Sequence, residues 1–476
     1  MIASGNSDAA EMLRAMRSFL KENDMMAYLA MMAVRLIELH RVLKPTGSLY
    51  LHCDPTASHY LKILLDAVFG PTNFLNEVIW KRTSAHSAAK RWGDVHDSIL
   101  FYAKSDSFLW NKIFTEYDAS YTERYRNRDE RGVWSDDNLT APGIRHGDSG
   151  AGWKGYNPTE RGNHWKISNI AVAQVVGAEK VAALTTTEKL EVLDQNGFIH
   201  WPKTGGFPRF KRYLGKGLPL QDIISDIFPL NSQAQERLGY PTQKPVALLE
   251  RIIAASSNEG DLVLDPFCGC GTTVHAAQKL NRRWIGIDVT HLAIGLIKRR
   301  LSEAFKGVQF EVVGVPQDVG GATALADADK YEFQKWALSM IDAVPYKGGK
   351  KGGDGGVDGY VYFKPDGKIT EKAIVSVKGG QSLTPAMVKD LIVTVDQEKA
   401  KMGIFLTLTP PTKGMVAQAA TAGFYKTDYG SFPKIQIVTV EQLFSPSSPI
   451  QMPWQDTSAF KKAKKENTEK QNELDL

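Results

Sequence analysis

The chain contains 476 residues, of which 43% are hydrophobic and 23% are charged, and its formal net charge is +5. This composition is that of a globular protein, and the length predicts two or three domains. The longest apolar run, residues 25–34, is too short to span a bilayer, so no membrane partner is expected. Cys53, Cys268 and Cys270 are the only cysteines. So sparse a set argues against a disulfide framework and a four-ligand zinc site, and it favours a cytoplasmic location.

The first hundred residues predict alternating helices and strands. Apolar residues recur at helical spacing from 11 to 43, with a break at 21–24 that divides the stretch into two helices. A turn then leads to a short buried strand at 48–53, and a third helix covers 56–69. This order is typical of an α/β unit.

The periodicity fades between about residues 105 and 235, where Gly, Asn, Asp, Trp and Tyr are frequent. A long irregular stretch inside an α/β enzyme is usually an insertion that recognises a partner. Basic clusters interleaved with aromatic residues favour DNA as that partner, and a solvated loop is the alternative for any one cluster. The clusters lie at 81–82, 90–91, 124–131, 209–212 and 298–300.

Regular structure returns after residue 242 as a strand–helix–strand repeat, which predicts parallel strands. A second α/β domain follows a seam at 314–316, and a charged tail ends the sequence. The predicted helices are 245–256, 272–280, 290–304, 330–340 and 384–398, and the predicted strands are 262–264, 284–287, 360–363, 373–378, 402–408 and 435–440. The predicted domain limits are 1–104 and 236–314 for the two parts of the first domain, 105–235 for the insertion, 315–450 for the second domain and 451–476 for the tail.

The most specific pattern is Asp265-Pro266-Phe267-Cys268-Gly269-Cys270-Gly271-Thr272-Thr273, at the junction of a strand and a helix. Its two glycines allow a sharp turn and a close approach of backbone to a ligand, at the carboxyl end of a parallel strand where α/β sheets bind cofactors. Asp288 closes the next strand, where an acidic side chain can accept hydrogen bonds from ribose hydroxyls. The pattern predicts a cofactor that carries a ribose.

Together with Gly239-Tyr240-Pro241-Thr242-Gln243-Lys244-Pro245, this motif resembles the β-group of amino DNA methyltransferases, which includes the modification subunits of type III restriction systems. Segments 41–53 and 96–102 agree, so the resemblance covers roughly residues 10–310. It implies a Rossmann-like methyltransferase sheet with a permuted motif order, and a target-recognition region in the insertion. Members methylate adenine N6 or cytosine N4 in duplex DNA after flipping the base out of the helix.

The resemblance also implies the residues of the S-adenosylmethionine site. Those that would cradle the methionine and ribose share the loop after the first strand; they are Asp265, Phe267, Gly269, Gly271 and Thr272. Asp288 would hold the ribose. Thr242 and Lys244 would face the methionine carboxylate, since a cationic amine suits that anion. A surface position at the start of a helix is the alternative for Lys244.

The family's methyl-transfer loop, Asp/Asn/Ser-Pro-Pro-Tyr/Phe/Trp, is absent from the sequence. Asp54-Pro55-Thr56 has one proline, and Thr409-Pro410-Pro411-Thr412 lies in the other domain and lacks the aromatic residue. In the family, the strand before this loop lies between strands 262–264 and 49–53, so two strand edges are expected to face a gap. We therefore expect either that Met1 is not the native start or that the chain is a fragment whose upstream piece is separate. The chain as given is expected to be inactive in methyl transfer or to need its missing N-terminus.

The second domain resembles the PD-(D/E)xK nuclease fold, in particular its Mrr-like branch. Asp358 precedes one strand and Lys378 ends the next. The resemblance implies that Asp358 binds Mg²⁺, that Lys378 activates water or steadies the scissile phosphate, and that Glu332 assists. Ser376 stands where many members have Glu or Gln, and serine is a poor metal ligand. The alternative is a small α/β domain whose Gly/Lys-rich loop, residues 347–356, contacts the DNA backbone.

The sequence thus predicts an S-adenosylmethionine-dependent DNA amino-methyltransferase of a restriction-modification or related system, with adenine N6 favoured over cytosine N4. Its expected partners are double-stranded DNA and either a restriction subunit or a second copy of the chain. The alternative is a DNA- and cofactor-binding module without methyl transfer, with a Mg²⁺-dependent nuclease in the C-terminal domain. A methyltransferase for proteins or small molecules is disfavoured by the nuclease-like domain and the insertion.

Overall fold

The computed structural model describes residues 7–83, 90–203, 205–231, 234–238, 240, 242–346, 356–366, 368–445, 447–455 and 466. The chain forms two compact units. The first unit is Met1–Asn111 with Asp222–Leu476, and the insertion unit is Lys112–Gln221. Among the helices of the described residues, none is long and apolar enough to cross a membrane.

The first unit begins with three helices and three strands. They are α1 (Ser7–Leu20), α2 (Asp24–Val42), β1 (Ser48–Cys53), α3 (Pro55–Phe69), β2 (Phe74–Lys81) and β3 (His96–Ala103). Two caps fix helix starts: the side chain of Asn23 accepts a hydrogen bond from Met26 N, and that of Asp54 accepts one from Ala57 N. The three helices pack their apolar faces together with residues of β1 and β3 in one core.

The insertion unit is built from short strands and helices around an aromatic core. Its elements are β4 (Phe114–Thr115), α4 (Ala119–Thr122), β5 (Asn127–Asp129), β6 (Gly132–Asn138), β7 (Thr140–Pro142), β8 (Asn163–Trp165), α5 (Asn169–Val176), α6 (Ala178–Val181), α7 (Thr186–Gln195), β9 (Ile199–His200), β10 (Arg209–Tyr213) and β11 (Leu218–Pro219). The strands pair in the order β5-β6-β10-β9, with β7–β8 and β4–β11 as separate pairs. Most of these strands are too short to show a clear alternation of apolar and polar residues. The sequence therefore indicated only that the periodic spacing of apolar residues is lost in this region.

The first unit resumes with a parallel repeat. Its elements are β12 (Ile223–Ile224), α8 (Val246–Ser256), β13 (Leu262–Asp265), α9 (Thr272–Lys279), β14 (Arg283–Gly286) and α10 (His291–Ala304). β13 and β14 pair in parallel, as predicted. β12 pairs in parallel with β2, so the first sheet has the order β1-β3-β2-β12.

β1 and β13 are not hydrogen-bonded to each other, so the predicted methyltransferase sheet is present as two separate sheets. The two strands begin close together: Lys44 Nζ lies 3.8 Å from Asp261 Oδ1, and Tyr50 OH lies 2.6 Å from Ser256 Oγ. Within the described residues β1 has a hydrogen-bonded neighbour strand on one side only, and so has β13. The gap expected between them from the absent strand stays a prediction.

A second α/β domain completes the first unit. Its elements are α11 (Val319–Ala328), α12 (Lys330–Ser339), β15 (Val344–Pro345), β16 (Gly359–Lys364), β17 (Glu371–Lys378), α13 (Pro385–Gln397), β18 (Met402–Thr407), α14 (Lys413–Ala420), β19 (Phe424–Thr427), β20 (Gly430–Pro433), β21 (Ile435–Thr439), α15 (Val440–Leu443) and β22 (Trp454–Gln455). The sheet order is β15-β16-β17-β18-β21, with β22 beside β16. Buried residues of α12 pack on one face of this sheet, and those of α13 and α14 pack on the other. The predicted α/β class is confirmed.

Candidate cofactor and metal sites

The loop after β13 has a conformation that only glycine adopts easily. Gly269 and Gly271 have φ angles of +49° and +74°. A Cβ atom on Gly271 would lie 2.7 Å from Cγ1 of Ile297 in α10, and one on Gly269 would lie 3.2 Å from the Tyr240 ring. The left-handed φ angles favour glycine at both positions, and at Gly271 a Cβ atom would also lack space beside Ile297.

Two carboxylates shape this loop. Asp288 Oδ2 accepts a hydrogen bond from Gly269 N (3.0 Å), and its Oδ1 accepts two from the amide and hydroxyl of Thr290, each 2.8 Å. Asp265 Oδ1 accepts one from Phe267 N (3.0 Å). A carboxylate has about four acceptor positions, so each can still receive a ligand hydroxyl or ammonium group.

The remaining residues of the predicted cradle lie on different sides of the loop. The Phe267 ring is about half exposed, whereas Thr272 is buried. Thr272 Oγ1 accepts a hydrogen bond from Arg300 Nη1 (3.1 Å), and Arg300 also donates to Cys270 O (3.1 Å). The Thr272 hydroxyl is thus used inside the protein, and only its backbone amide, at the start of α9, remains for a ligand.

The loop fits S-adenosylmethionine by two carboxylates that keep free acceptor positions, Asp265 and Asp288, and by the exposed ring of Phe267. Burial, together with the charges of Asp265 and Asp288, raises the pKa of the Cys268 thiol to about 12. This thiol is therefore protonated at neutral pH and is not a nucleophile.

Lys244 lies between the loop and the end of the first sheet. Its ammonium donates to Thr242 O (3.4 Å), and Thr242 itself is exposed. Burial is the largest influence on the pKa of Lys244 and lowers it, while the nearby negative charge of Asp97 opposes that shift. An amine held between a buried carboxylate and the cofactor loop suits the predicted position beside an anionic ligand group.

A polar cluster at the ends of β1, β2 and β3 was not assigned from the sequence. His52 Nε2 lies 2.8 Å from Asp97 Oδ2, and Arg82 Nε lies 2.9 Å from Asp97 Oδ1. Burial alone would raise the pKa of Asp97, but the hydrogen bond and charge of His52, with Arg82 and Lys244, lower it. The signal in the sequence was a polar side chain near one end of each otherwise apolar strand, His52 in 48–53 and Asp97 in 96–103.

In the second domain the structure brings Gln334, rather than Glu332, to Asp358. Asp358 is buried; its Oδ1 accepts a hydrogen bond from Gln334 Nε2, and its Oδ2 accepts one from Val377 N. Glu332 forms an ion pair with Lys335 on the same helix (2.7 Å). The side chain of α12 that contacts Asp358 is therefore the neutral amide of Gln334, two residues after Glu332.

At the predicted magnesium site, N–H donors bond to both carboxylate oxygens of Asp358. Ser376 is buried in β17, and Lys378, two residues later, is half-buried. Within the residues that the structure describes, no group of three or more His, Cys, Asp or Glu side chains could hold a metal ion. The predicted Gly/Lys-rich loop lies outside the described residues except for Gly356. Mg²⁺ is usually bound by one or two carboxylates together with waters and substrate phosphates, so the assignment of Asp358 to Mg²⁺ stays a prediction.

Several predicted basic clusters are neutralised or buried. In β10, Arg209 pairs with Asp136 (3.1 Å) and Lys211 with Asp129 (3.0 Å), and Arg212 pairs with Asp137. In α10, Arg300 is buried. Sequence clustering alone therefore overstated the positive charge available to DNA at these two places.

Comparisons with known proteins agree with the two resemblances. A family model described as DNA methylase, of the N6/N4 class, matches residues 11–299, and a restriction endonuclease model of the Mrr catalytic class matches residues 325–443. The type II methyltransferase M.EcaI of Enterobacter cloacae is 36% identical over 280 residues, which are 58% of this chain and 58% of that protein.

Two further relatives match shorter shares of their own length. The Mod subunit of the type III restriction-modification enzyme StyLTI of Salmonella typhimurium is 27% identical over 267 residues, 54% of this chain and 38% of the relative. The DNA adenine methyltransferase YhdJ of Escherichia coli is 54% identical over 65 residues, 14% of this chain and 22% of the relative. The chain therefore spans well under two thirds of the length of each of these three proteins.

Proposed function

Because the chain belongs to the N6/N4 DNA methylase family, we propose that it acts in the S-adenosylmethionine-dependent methylation of an exocyclic amino group in duplex DNA. The observation that carries the proposal is the loop Asp265–Thr272, which contains two left-handed glycines and in which the Asp288 carboxylate accepts a hydrogen bond from Gly269 N. The Mrr-class match to the second domain supports a restriction-modification system. Adenine N6 is the favoured target, and the name of the YhdJ relative supports that choice.

The chain's own residues would bind and orient the cofactor. S-adenosylmethionine supplies an activated methyl group. Asp265 would accept from the methionine ammonium and Asp288 from the ribose, because both keep acceptor positions at the open side of the loop. Lys244 would neutralise the methionine carboxylate. The partners in this proposal are double-stranded DNA and a restriction subunit or second copy, which the Mod relative supports by its name.

The test is transfer of a tritium-labelled methyl group to unmethylated DNA, followed by identification of the modified base. Chain 1–476 is assayed beside any longer product encoded when codons upstream of Met1 are included. We expect no transfer by 1–476, because the acceptor loop is absent from its sequence, and N6-methyladenine from a product that carries that loop. A loop-bearing product that binds both ligands but never methylates DNA contradicts the proposal.

A second candidate function is DNA cleavage by the C-terminal domain. The observation that favours it is the position of Lys378, one residue after Val377, whose amide binds Asp358. Its test is nicking of supercoiled plasmid in Mg²⁺ by the full chain, beside Asp358→Ala and Lys378→Ala. Cleavage by the wild type that disappears in both variants supports nuclease activity of the C-terminal domain. Cleavage that survives in either variant means that side chains other than the substituted one carry it out.

A further inference from the structure

The insertion unit contains an open cleft with an unusual lining. Its volume is about 500 Å³, and it lies between the β7–β8 hairpin and the starts of α5 and α7. Three cations line it: Arg145, Lys166 and Lys189. No carboxylate is among the lining residues. Two acids lie beside lining residues along the chain: Asp148 accepts a hydrogen bond from Thr186 N, and Glu188 accepts one from Thr185 N, so both serve the start of α7.

These three cations differ from other cations of the same unit. Lys154 pairs with Glu191 and Asp194, and the β10 cations pair with Asp129, Asp136 and Asp137. Arg124, Arg131 and Arg161 lie over the aromatic rings of Tyr121, Phe198 and Phe207, at 4.1, 4.4 and 4.6 Å. By contrast, Arg145, Lys166 and Lys189 form no ion pair with the acidic residues that the structure describes, and Arg145 and Lys166 are exposed.

A cleft that gathers unpaired cations and excludes carboxylates repels other cations and attracts anions. Ser149 and Asn169 also line it, and hydroxyl and amide groups such as theirs donate to phosphate oxygens. The cleft is open along one side, so it admits a chain of phosphates rather than one enclosed small molecule. Phosphodiester backbone is the occupant that this charge and shape favour.

We propose that the Arg145–Lys166–Lys189 cleft binds phosphates of the DNA backbone and thereby sets the position of the insertion unit on the duplex. The proposal rests on the proposed function, in which duplex DNA is the substrate. In this proposal the cleft positions the insertion unit on the DNA and does not read its sequence, because contacts to phosphates carry no sequence information directly. Sequence reading then belongs to other residues of the chain.

The experiment measures binding of a fluorescent 30-base-pair duplex by the full chain across a range of salt concentrations. The triple variant Arg145→Gln, Lys166→Gln, Lys189→Gln is compared with Lys180→Gln, Lys216→Gln, which removes two exposed cations of the same unit outside the cleft. Each phosphate contact contributes about 0.9 to the slope of log K against log salt. We expect the triple variant to bind at least about tenfold more weakly and to lose about two to three units of slope.

The loss should be equal on duplexes of unrelated sequence, and thermal melting and S-adenosylmethionine binding should be unchanged. Unchanged affinity and slope in the triple variant, or an equal loss in the control variant, would overturn the cleft assignment alone. A loss confined to one DNA sequence would overturn phosphate binding in favour of base contacts. A wild-type chain that binds cofactor but no DNA would overturn both the cleft and the DNA substrate.

Discussion

Asp288, at the end of β14, accepts a hydrogen bond from the amide of Gly269, in the loop after β13. The two strands lie side by side in parallel, and Cys268 N donates to Ile287 O (3.0 Å) next to this contact. Asp288, which would face the ribose, therefore also fixes the turn at Gly269, which would face the methionine. The two ends of the cofactor site are coupled through one carboxylate.

Replacing Asp288 by alanine should weaken S-adenosylmethionine binding by about 10- to 100-fold. The change removes the acceptor for Gly269 and Thr290 and a charged partner for the ligand, and charge-assisted hydrogen bonds are worth about 1.5–3 kcal/mol each. Equilibrium dialysis with labelled cofactor measures the loss. Glu311→Ala, an exposed carboxylate outside the loop, is the control and should bind as wild type does. Equal affinity of Asp288→Ala and wild type would refute the coupling.

Gly271→Ala should lower the free energy of unfolding by about 1–3 kcal/mol and abolish cofactor binding, because the new Cβ meets Ile297 and the φ angle is left-handed. Urea unfolding measures the stability. Gly307→Ala is a matched control, since its φ is +75° but nothing lies within 4 Å of its Cβ. In that control the free energy of unfolding should fall only by the cost of a left-handed φ angle for alanine, about 1 kcal/mol. Equal losses in both variants would mean that the contact with Ile297 is unimportant.

Stability should fall on acidification because of His275 in α9. Burial is the main cause that lowers the pKa of His275 to about 4, against an ordinary value of 6.5, while Glu466 opposes the shift. Between these values the unfolded chain binds a proton that the folded chain does not, so stability rises with pH from 4 to 6.5 and is lost as pH falls. The loss should reach about 2 kcal/mol by pH 5.

Urea unfolding of His275→Gln at pH 7 and pH 5 tests this dependence. The variant should lose less stability on acidification than the wild type, whereas His59→Gln, an exposed histidine in α3, should keep the wild-type slope. The same slope in His275→Gln as in wild type would show that other groups cause the acid sensitivity.

Much of the first unit could be predicted from the sequence because its helices carry long periodic faces and its cofactor motif is local. Gly269, Gly271 and Asp288 lie within twenty residues of one another, and so their relationship is readable from spacing. The partnership of Gln334 with Asp358 was not predictable. Glu332 has the more obvious chemistry, and only the rotation of α12 against β16 and β17 decides which of the two side chains faces Asp358. The paired state of Arg209 likewise depends on β6, seventy residues away.

Asp358→Ala should lower the free energy of unfolding by about 1–3 kcal/mol, since it leaves the Val377 amide and the Gln334 side chain without their acceptor. A double-mutant cycle of Asp358→Ala with Gln334→Ala should give a coupling energy of about 0.5–3 kcal/mol. The matched cycle with Glu332→Gln should give a coupling energy near zero. Coupling to Glu332 but not to Gln334 would contradict the contact seen at Asp358.

The most direct test of the account is binding of S-adenosylmethionine by chain 1–476 itself, measured by titration calorimetry. We expect saturable binding of one molecule per chain, competed by S-adenosylhomocysteine and lost in Gly271→Ala, because the loop after β13 is formed without the acceptor loop. Absence of binding by a chain that melts cooperatively, or binding that survives in Gly271→Ala, would contradict the assignment of this loop as the cofactor site.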